Sequence, residues 1–291
     1  MDLVFSDIHA DINALDTILN IVNMSEFKKK YGEYSRIINL GDILERGTHP
    51  SEVLKKLALL EKIYPLTSIM GNHDEAFLYK RPVSGSTLES FAAHQSLTEN
   101  ELGFFKQNDD KTFGHQQFID KKLGTNNQNK FIIKKNGLVF VHGGTLDPQK
   151  ITPPNAGQES WLYQRTWQRL SEEDFEYFSY SGYHYTASSA FKESRKNLDN
   201  FVILCGHQHL ETAIEQDNES INEIYNSTKI ENEKFGEFSL GKKEFEIKNT
   251  SNYIIRLGLG GPEGYYDNGF GQIHFRIIKY NPKKVIIFTV K

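Results

Sequence analysis

Along the chain, short apolar runs alternate with polar loops, and most runs are halted by glycine, aspartate or histidine. Leu3-Val4-Phe5 is continuous enough in apolar character to be a buried strand, and it stops at Ser6-Asp7-Ile8-His9. Residues 13–22 then place Leu15, Ile18, Leu19 and Val22 on one face of a helix. Residues 36–40 form a second strand, broken by Gly41-Asp42. After Pro50, Ser51 reads as the N-cap of a helix carrying Val53, Leu54, Leu57 and Leu60. Residues 63–70 supply a third strand, stopped at Gly71-Asn72-His73-Asp74. Strand, polar loop and helix in repeated order are the βαβ rhythm of an α/β (α+β) fold with helices on the sheet faces.

Further along, residues 75–130 are polar and helix-leaning, and read as a helical cap insertion. Residues 131–134 and 138–141 flank Asn136-Gly137, a hairpin signal, and lead into His142-Gly143-Gly144. Residues 161–178 read as helical. Residues 201–204 form a strand running into Gly206-His207-Gln208-His209. Residues 215–250 are rich in Asn, Glu and Lys, the composition of a polar surface insertion. Residues 273–279 and 285–290, either side of Asn281-Pro282, close a sheet. No repeat or linker divides the chain, so 1–291 is read as a single domain.

Composition narrows the chemistry. With 38% hydrophobic and 25% charged residues the chain is globular, and at this length a fold buries about three quarters of the unfolded surface. A single cysteine excludes a disulfide framework or a cysteine zinc ribbon, so metal chemistry would fall to ten histidines and the carboxylates. A net charge of −4 argues against a nucleic-acid partner. No apolar run reaches the ~18 residues of a membrane span, and Asp2, Asp7, His9 and Asp11 interrupt any leader-like stretch. A cytoplasmic enzyme without a membrane partner is therefore expected.

The candidate chemistry lies in five loops, each following a predicted strand. The C-terminal ends of strands in one α/β sheet open on a common edge, so side chains distant in sequence meet there. Asp7, His9, Asp42, Asn72, His142, His207 and His209 would converge. Such nitrogen and oxygen donors, with one carboxylate able to bridge, suit two divalent metals about 3.5–4 Å apart. Taken singly, each motif has a plainer reading: Asp-x-His as a cap, Gly-Asp as a turn, His142 as a core histidine. Their joint order after strands outweighs those readings.

That order (Asp-x-His, Gly-Asp-x-x-x-Arg-Gly, Gly-Asn-His-Asp, His-Gly-Gly, Gly-His-x-His) resembles the calcineurin-like metallophosphoesterase superfamily over roughly residues 3–210. Arg46-Gly47 is similar to its phosphoprotein-phosphatase branch and to bacterial relatives that include dinucleoside tetraphosphate hydrolases. The resemblance implies a central β-sandwich flanked by helices. It implies one metal on Asp7, His9, Asp42 and His209, and a second on Asp42, Asn72, His142 and His207. It makes His73 the general acid, with Asp74 and Arg46 completing the catalytic group and Arg46 binding phosphate. A structural hydrogen bond is the plainer role for His73, and a solvated helix-entry cation the plainer role for Arg46. Two positions depart from the branch: Glu45 stands where Asp is usual, which leaves the orientation of His73 open, and Asp74 stands where Glu is usual. Trp161-Leu162-Tyr163-Gln164-Arg165 resembles a Trp-x-x-Arg-like segment, making Arg165 a second phosphate-binding candidate, with Arg169 or a structural role as alternatives.

The leading expectation is a dinuclear metal-dependent phosphatase that hydrolyses phosphomonoesters, on a phosphoprotein or a small phosphorylated metabolite, by metal-bridged hydroxide attack. The alternatives are a nucleotide phosphodiesterase or dinucleoside polyphosphate hydrolase, and, in another class, a non-catalytic binding scaffold. Manganese is the first expectation for the two divalent ions, and Fe, Zn, Co and Ni also suit the donors. His49, His94, His115, His184 and His274 receive no ligand role. Lys28-Lys29-Lys30 reads as a solvated helix end or loop. The glycine-rich run from Gly258 is not a dinucleotide fingerprint, because Pro262 and Glu263 spoil it. Tyr265 and Tyr266 are packing aromatics or line the cleft.

Overall fold

The computed structural model describes residues 1–78, 80–81, 83, 85–102, 132–133, 137–145, 166–171, 184–195, 200–218, 220–261 and 272–291. β1 (Asp2–Phe5), β2 (Arg36–Asn39) and β3 (Leu66–Ser68) run parallel, with Leu3 opposite Ile37 and Ile38 opposite Thr67. β1 is buried along its whole length, which explains its unbroken apolar run. On its other edge β1 pairs antiparallel with β14 (His274–Tyr280). β15 (Lys283–Val290), β12 (Phe238–Glu246) and β11 (Glu231–Phe235) extend this seven-stranded sheet in the order β11-β12-β15-β14-β1-β2-β3.

The second sheet has the order β10-β9-β13-β8-β5-β4. Its centre is parallel: β5 (Leu138–Phe140), β8 (Val202–Cys205) and β13 (Ser251–Arg256). β4 (Ile132–Ile133) pairs antiparallel with β5 as the Asn-Gly turn predicts, while β9 (Thr212–Asp217) and β10 (Ser220–Glu223) form the opposite edge. A third, two-stranded sheet joins β6 (Arg169–Leu170) to β7 (His184–Tyr185).

Parity along the second sheet explains how the layers stack. Leu138, Phe140, Val202, Leu204, Tyr253 and Ile255 join the main core together with Leu3, Phe5, Phe275 and Ile277 of the first sheet. The alternate residues Val139, Ile203, Cys205 and Ile254 pack instead with Ala187, Ala190 and Phe191 of α6 (Ala187–Arg195). α1 (Ile12–Asn23) and α3 (Pro50–Glu61) bring Ile18, Val53 and Leu57 into the main core. The result is a sandwich of sheets flanked by helices. No helix among the described residues is long and apolar enough to cross a membrane.

Several local readings change. α3 begins two residues earlier than the cap reading of Ser51 implies: His49 is in the cap position and Pro50 starts the helix, where a missing N–H costs no hydrogen bond. Ser51 donates to Glu101 instead. The third strand is confined to Leu66–Ser68. Of the expected helix over 161–178, Thr166 is helical, Arg169 and Leu170 form the short strand β6, and 161–165 and 172–178 lie outside the described residues. From the expected cap, α4 (Asn72–Leu78) and α5 (Leu88–Gln95) are described, and 103–131 lies outside the described residues. So do Arg165, His115, Tyr265 and Tyr266. The polar stretch 215–250 supplies β10, β11 and β12, whose inward-facing Phe235, Leu240 and Phe245 join the main core.

Lys28, Lys29 and Lys30 form the last turn of α2 (Ser25–Tyr31). Phe27 holds that helix down: it is fully buried, with ring centroids of Tyr31, Phe235 and Phe288 at 4.8, 5.2 and 5.5 Å. Phe27→Ala is expected to cost about 3–5 kcal/mol, read as a lower urea midpoint with an unchanged slope. A loss under 1 kcal/mol would mean that the aromatic cluster does not anchor α2.

Candidate metal centre

Each ligand-bearing loop leaves the C-terminal end of a parallel strand: Asp7 and His9 after β1, Asp42 after β2, Asn72 after β3, His142 after β5, His207 and His209 after β8. The turning is done by the donor residues themselves. Asp7, His9, Asp42, His207 and His209 have φ of 54°, 50°, 55°, 71° and 59°. A left-handed backbone costs a residue with a Cβ roughly 1–2 kcal/mol and persists only where the surroundings enforce it. Those surroundings are inter-loop hydrogen bonds. Asp7 N donates to Gly41 O and His9 N to Asp42 O, both at 2.9 Å, and Gly206 N donates to His142 O at 2.9 Å. His207 N donates to Asp7 Oδ2 at 3.1 Å and so joins the two sheets.

Of the glycines expected to supply the turns, Gly41 does so, with a φ of 106°. Gly71 is required for space: a Cβ there would fall inside the Asp42 carboxylate.

The donors form two sets around one carboxylate. Asp42 Oδ2 lies 3.6 Å from His9 Nε2 and 3.5 Å from His142 Nε2. The first set is Asp7, His9, Asp42 and His209, and the second is Asp42, His142 and His207; within each, the donor atoms lie within 4.8 Å of one another. Asn72 adds Oδ1, 2.9 Å from His142 Nε2. His9 Nδ1 faces Leu44 O at 3.3 Å and His142 Nδ1 faces Leu40 O at 2.8 Å. A carbonyl only accepts, so both Nδ1 atoms carry hydrogen and both Nε2 atoms point inward, the second-atom bond typical of metal-ligating histidines. His9 Nε2 and His209 Nε2 stand 3.3 Å apart, and buried His207 Nε2 has no hydrogen-bond partner among the described residues. This crowd of lone pairs and carboxylate oxygens fits divalent cations with nitrogen and oxygen preference.

Charge supports the fit. Burial, then the nearby Arg46 guanidinium, holds His9 well below the ordinary imidazole range, and burial, then Arg169, does the same to His207. Both are therefore neutral donors at neutral pH. Burial also disfavours charge on His142, but the Asp42 carboxylate outweighs it and raises the group to about 9. Burial disfavours the Asp42 carboxylate too, yet His142 and His73 hold it well below the usual carboxylate range. A proton on His142 and a metal cation answer the same excess of negative donors, so metal binding here would release that proton.

His73 lies beside the first set, its ring centroid 4.9 Å from that of His9. Its backbone N donates to Asp42 Oδ1 at 2.9 Å, and its Nε2 accepts from Arg46 Nη2 at 2.8 Å. Burial lowers it to about 3, with Asp42 opposing and Arg46 assisting. Asp74 is held by backbone donors. Its carboxylate accepts from the backbone N–H groups of Ile43, Leu44 and Gly71 at 2.9–3.0 Å and so clamps the second and third loops together. Burial, then Asp42, pushes it up to about 7 against those donors. Glu45 accepts from Ser86 Oγ at 2.7 Å; among the described residues, neither acid bonds the His73 ring.

Three further residues that the motifs do not name, His94, Trp167 and Gln208, lie at the site together with Arg169, the alternative to Arg165. His94 Nε2 accepts from Glu45 N at 2.8 Å. Trp167 meets the His207 ring edge-on at 5.8 Å, and Arg169 lies over Trp167 at 5.4 Å. Gln208, the variable position of Gly-His-x-His, pairs with β6 like a strand: Leu170 N donates to its Oε1 at 2.7 Å and its Nε2 donates to Leu170 O at 3.0 Å. Only the position of Gln208 between two histidines hinted at a role. Nothing in the sequence around His94 did.

The sequence profile of calcineurin-like phosphoesterases matches residues 3–211. No curated protein sequence matches the chain. Among solved structures, the chain is similar to a metallophosphoesterase from Sphaerobacter thermophilus, with 18% identity and a TM-score of 0.56 over 100% of this chain and 88% of that one. It is also similar to a Saccharomyces cerevisiae protein serine/threonine phosphatase described as similar to human phosphatase PP5, with 15% identity and a TM-score of 0.49 over 100% of this chain and 79% of the other. The first likeness shows a shared fold.

The parent protein, loaded with Mn²⁺ and desalted, is expected to retain close to two ions per chain, and Gly71→Ala fewer than one, with an unchanged circular dichroism spectrum. Equal metal content in the two proteins would show that the space beside Asp42 is not required.

Proposed function

The chain belongs to the calcineurin-like phosphoesterase family, hydrolases of phosphoric ester bonds, and we propose that it is a phosphomonoesterase acting on a phosphoprotein or a small phosphorylated metabolite. The observation that carries this reading is the Arg46–His73 contact of 2.8 Å at the edge of the buried donor sets. A planar guanidinium presents parallel donors to two oxygens of one phosphoryl group, and a monoester has terminal oxygens to offer it. Asp7, His9, Asp42 and His209 would hold one ion, and Asp42, Asn72, His142 and His207 the other, with manganese as the first choice. When bound, the pair supplies Lewis-acid charge and a water acidic enough to ionise near neutral pH.

The remaining work falls to the chain's own residues. Arg46 binds the phosphoryl oxygens and opposes the charge that builds on them during in-line attack. As the guanidinium turns to the substrate, it frees the His73 Nε2 lone pair to take up a proton from water and pass it to the leaving oxygen. Asp74 holds the Asp42 and His73 loops at fixed separation. Arg169, supported on Trp167 beside His207, serves as a second phosphate-facing cation together with or in place of Arg165. A substrate other than nucleic acid accords with the net charge of −4.

With Mn²⁺, p-nitrophenyl phosphate is expected to be hydrolysed faster than bis-p-nitrophenyl phosphate or a dinucleoside tetraphosphate. A preference for either of the latter would overturn the monoester reading. His73→Ala is expected to lower kcat by roughly 10²–10⁴ while both ions are retained, with the greater loss on alkyl phosphates, whose leaving groups need the proton. An equal loss on aryl and alkyl phosphates would remove His73 as the proton donor.

A further inference from the structure

Glu45 and Arg46 are successive residues with φ of 69° and 73°, so the loop that aims the arginine runs left-handed without glycine. One tie lies inside the ligand loops: Gly47 N donates to His9 O at 2.9 Å. Two others come from the segment bearing α5. Ser86 Oγ donates to Glu45 Oε2 at 2.7 Å, and Glu45 N donates to His94 Nε2 at 2.8 Å. His94 is buried, and its Nδ1 lies 2.8 Å from Ser90 O. That carbonyl can only accept, so Nδ1 carries the hydrogen and Nε2 is fixed as the acceptor Glu45 needs. The His94 ring also meets Phe77 edge-on at 5.7 Å, and Phe77 belongs to α4, the helix that opens with Asn72, His73 and Asp74. His94 thus sits between the element carrying His73 and the loop carrying Arg46.

We propose that His94 is a positioning residue: by holding the Glu45 N–H it fixes the backbone step that directs Arg46 to His73 and to the phosphoryl group, tying α5 to the metal centre. It touches neither the donor sets nor the substrate. The inference rests on Arg46 being the phosphate-binding residue proposed above.

The test uses full-length protein loaded with Mn²⁺, with inorganic phosphate as the probe. Phosphate affinity is read by calorimetry, kcat and KM on p-nitrophenyl phosphate, ion content by metal analysis and folding by thermal melting. His94→Phe keeps a ring but leaves the Glu45 N–H unpaired, and should weaken phosphate binding and kcat/KM about tenfold, with two ions still bound. His94→Gln, whose carbonyl can accept from Glu45, should recover most of that loss. In an Arg46→Ala background, His94→Phe should cost nothing further.

Unchanged phosphate affinity in His94→Phe, or the same loss with and without Arg46, would overturn the positioning role. If Arg46→Ala itself binds phosphate as tightly as the parent, the phosphate-binding reading of Arg46 fails first and the inference with it. If it binds more weakly while His94→Phe does not, only the inference falls. Should His94→Phe not fold, Ser86→Ala, which cuts the second tie to Glu45, carries the test with a smaller loss that again disappears without Arg46.

Discussion

One buried carboxylate, Asp42, faces imidazole nitrogens on both sides, and the loops around it are held so as to make that tolerable. Burying unpaired donors and charges is costly, and crowding donors of like polarity adds to the cost. The chain answers with positional control. Parallel strands from two sheets deliver their loops to one edge, backbone hydrogen bonds sew the loops together, and Asp74 gathers three backbone N–H groups from the two loops that flank Asp42. The left-handed backbone of five donor residues is strain that this lacing keeps in place.

The donors and Arg46 are supported differently. Asp7, Asp42, His142, His207 and His209 follow strands in the middle of sheets and inherit their rigidity. Arg46 stands farther out, on a loop whose geometry depends on partners in α5. Its ties to the donors run through backbone bonds such as Gly47 N to His9 O, while its ties to the α5 segment run through the side chains of Ser86 and His94.

The candidate donors were legible in the sequence because each follows an apolar run, and all but Asp7 and His9 stand near a glycine, a signal confined to a few neighbouring residues. The helix α1 and the β4–β5 hairpin were legible for the same reason. What stayed hidden depends on contacts between distant segments. Asp74 looks like part of a catalytic motif, and only the fold shows its oxygens spent on the backbone of Ile43, Leu44 and Gly71. The glycines suggested backbone turning, yet Gly71 matters for what a Cβ would strike. The 215–250 stretch looked like a surface feature because solvent-facing positions dominate its composition, although every strand it supplies is hydrogen-bonded into one of the two sheets. Likewise, β6 is too short for periodicity to register and is defined by Gln208 and β7.

The pairing of β1 with β14 sets Asp2 opposite Ile278, and Gly261 packs on the backbone of Ile8. During synthesis on the ribosome, Asp7, His9 and Asp42 emerge long before the segments that brace them. At about 5–20 residues per second the interval is on the order of tens of seconds. Until β14 arrives, β1 lacks its antiparallel neighbour. The clustered donors are thus a property of the finished sheets, since they draw on residues from Asp7 to His209 and on a strand that is made near the end of the chain.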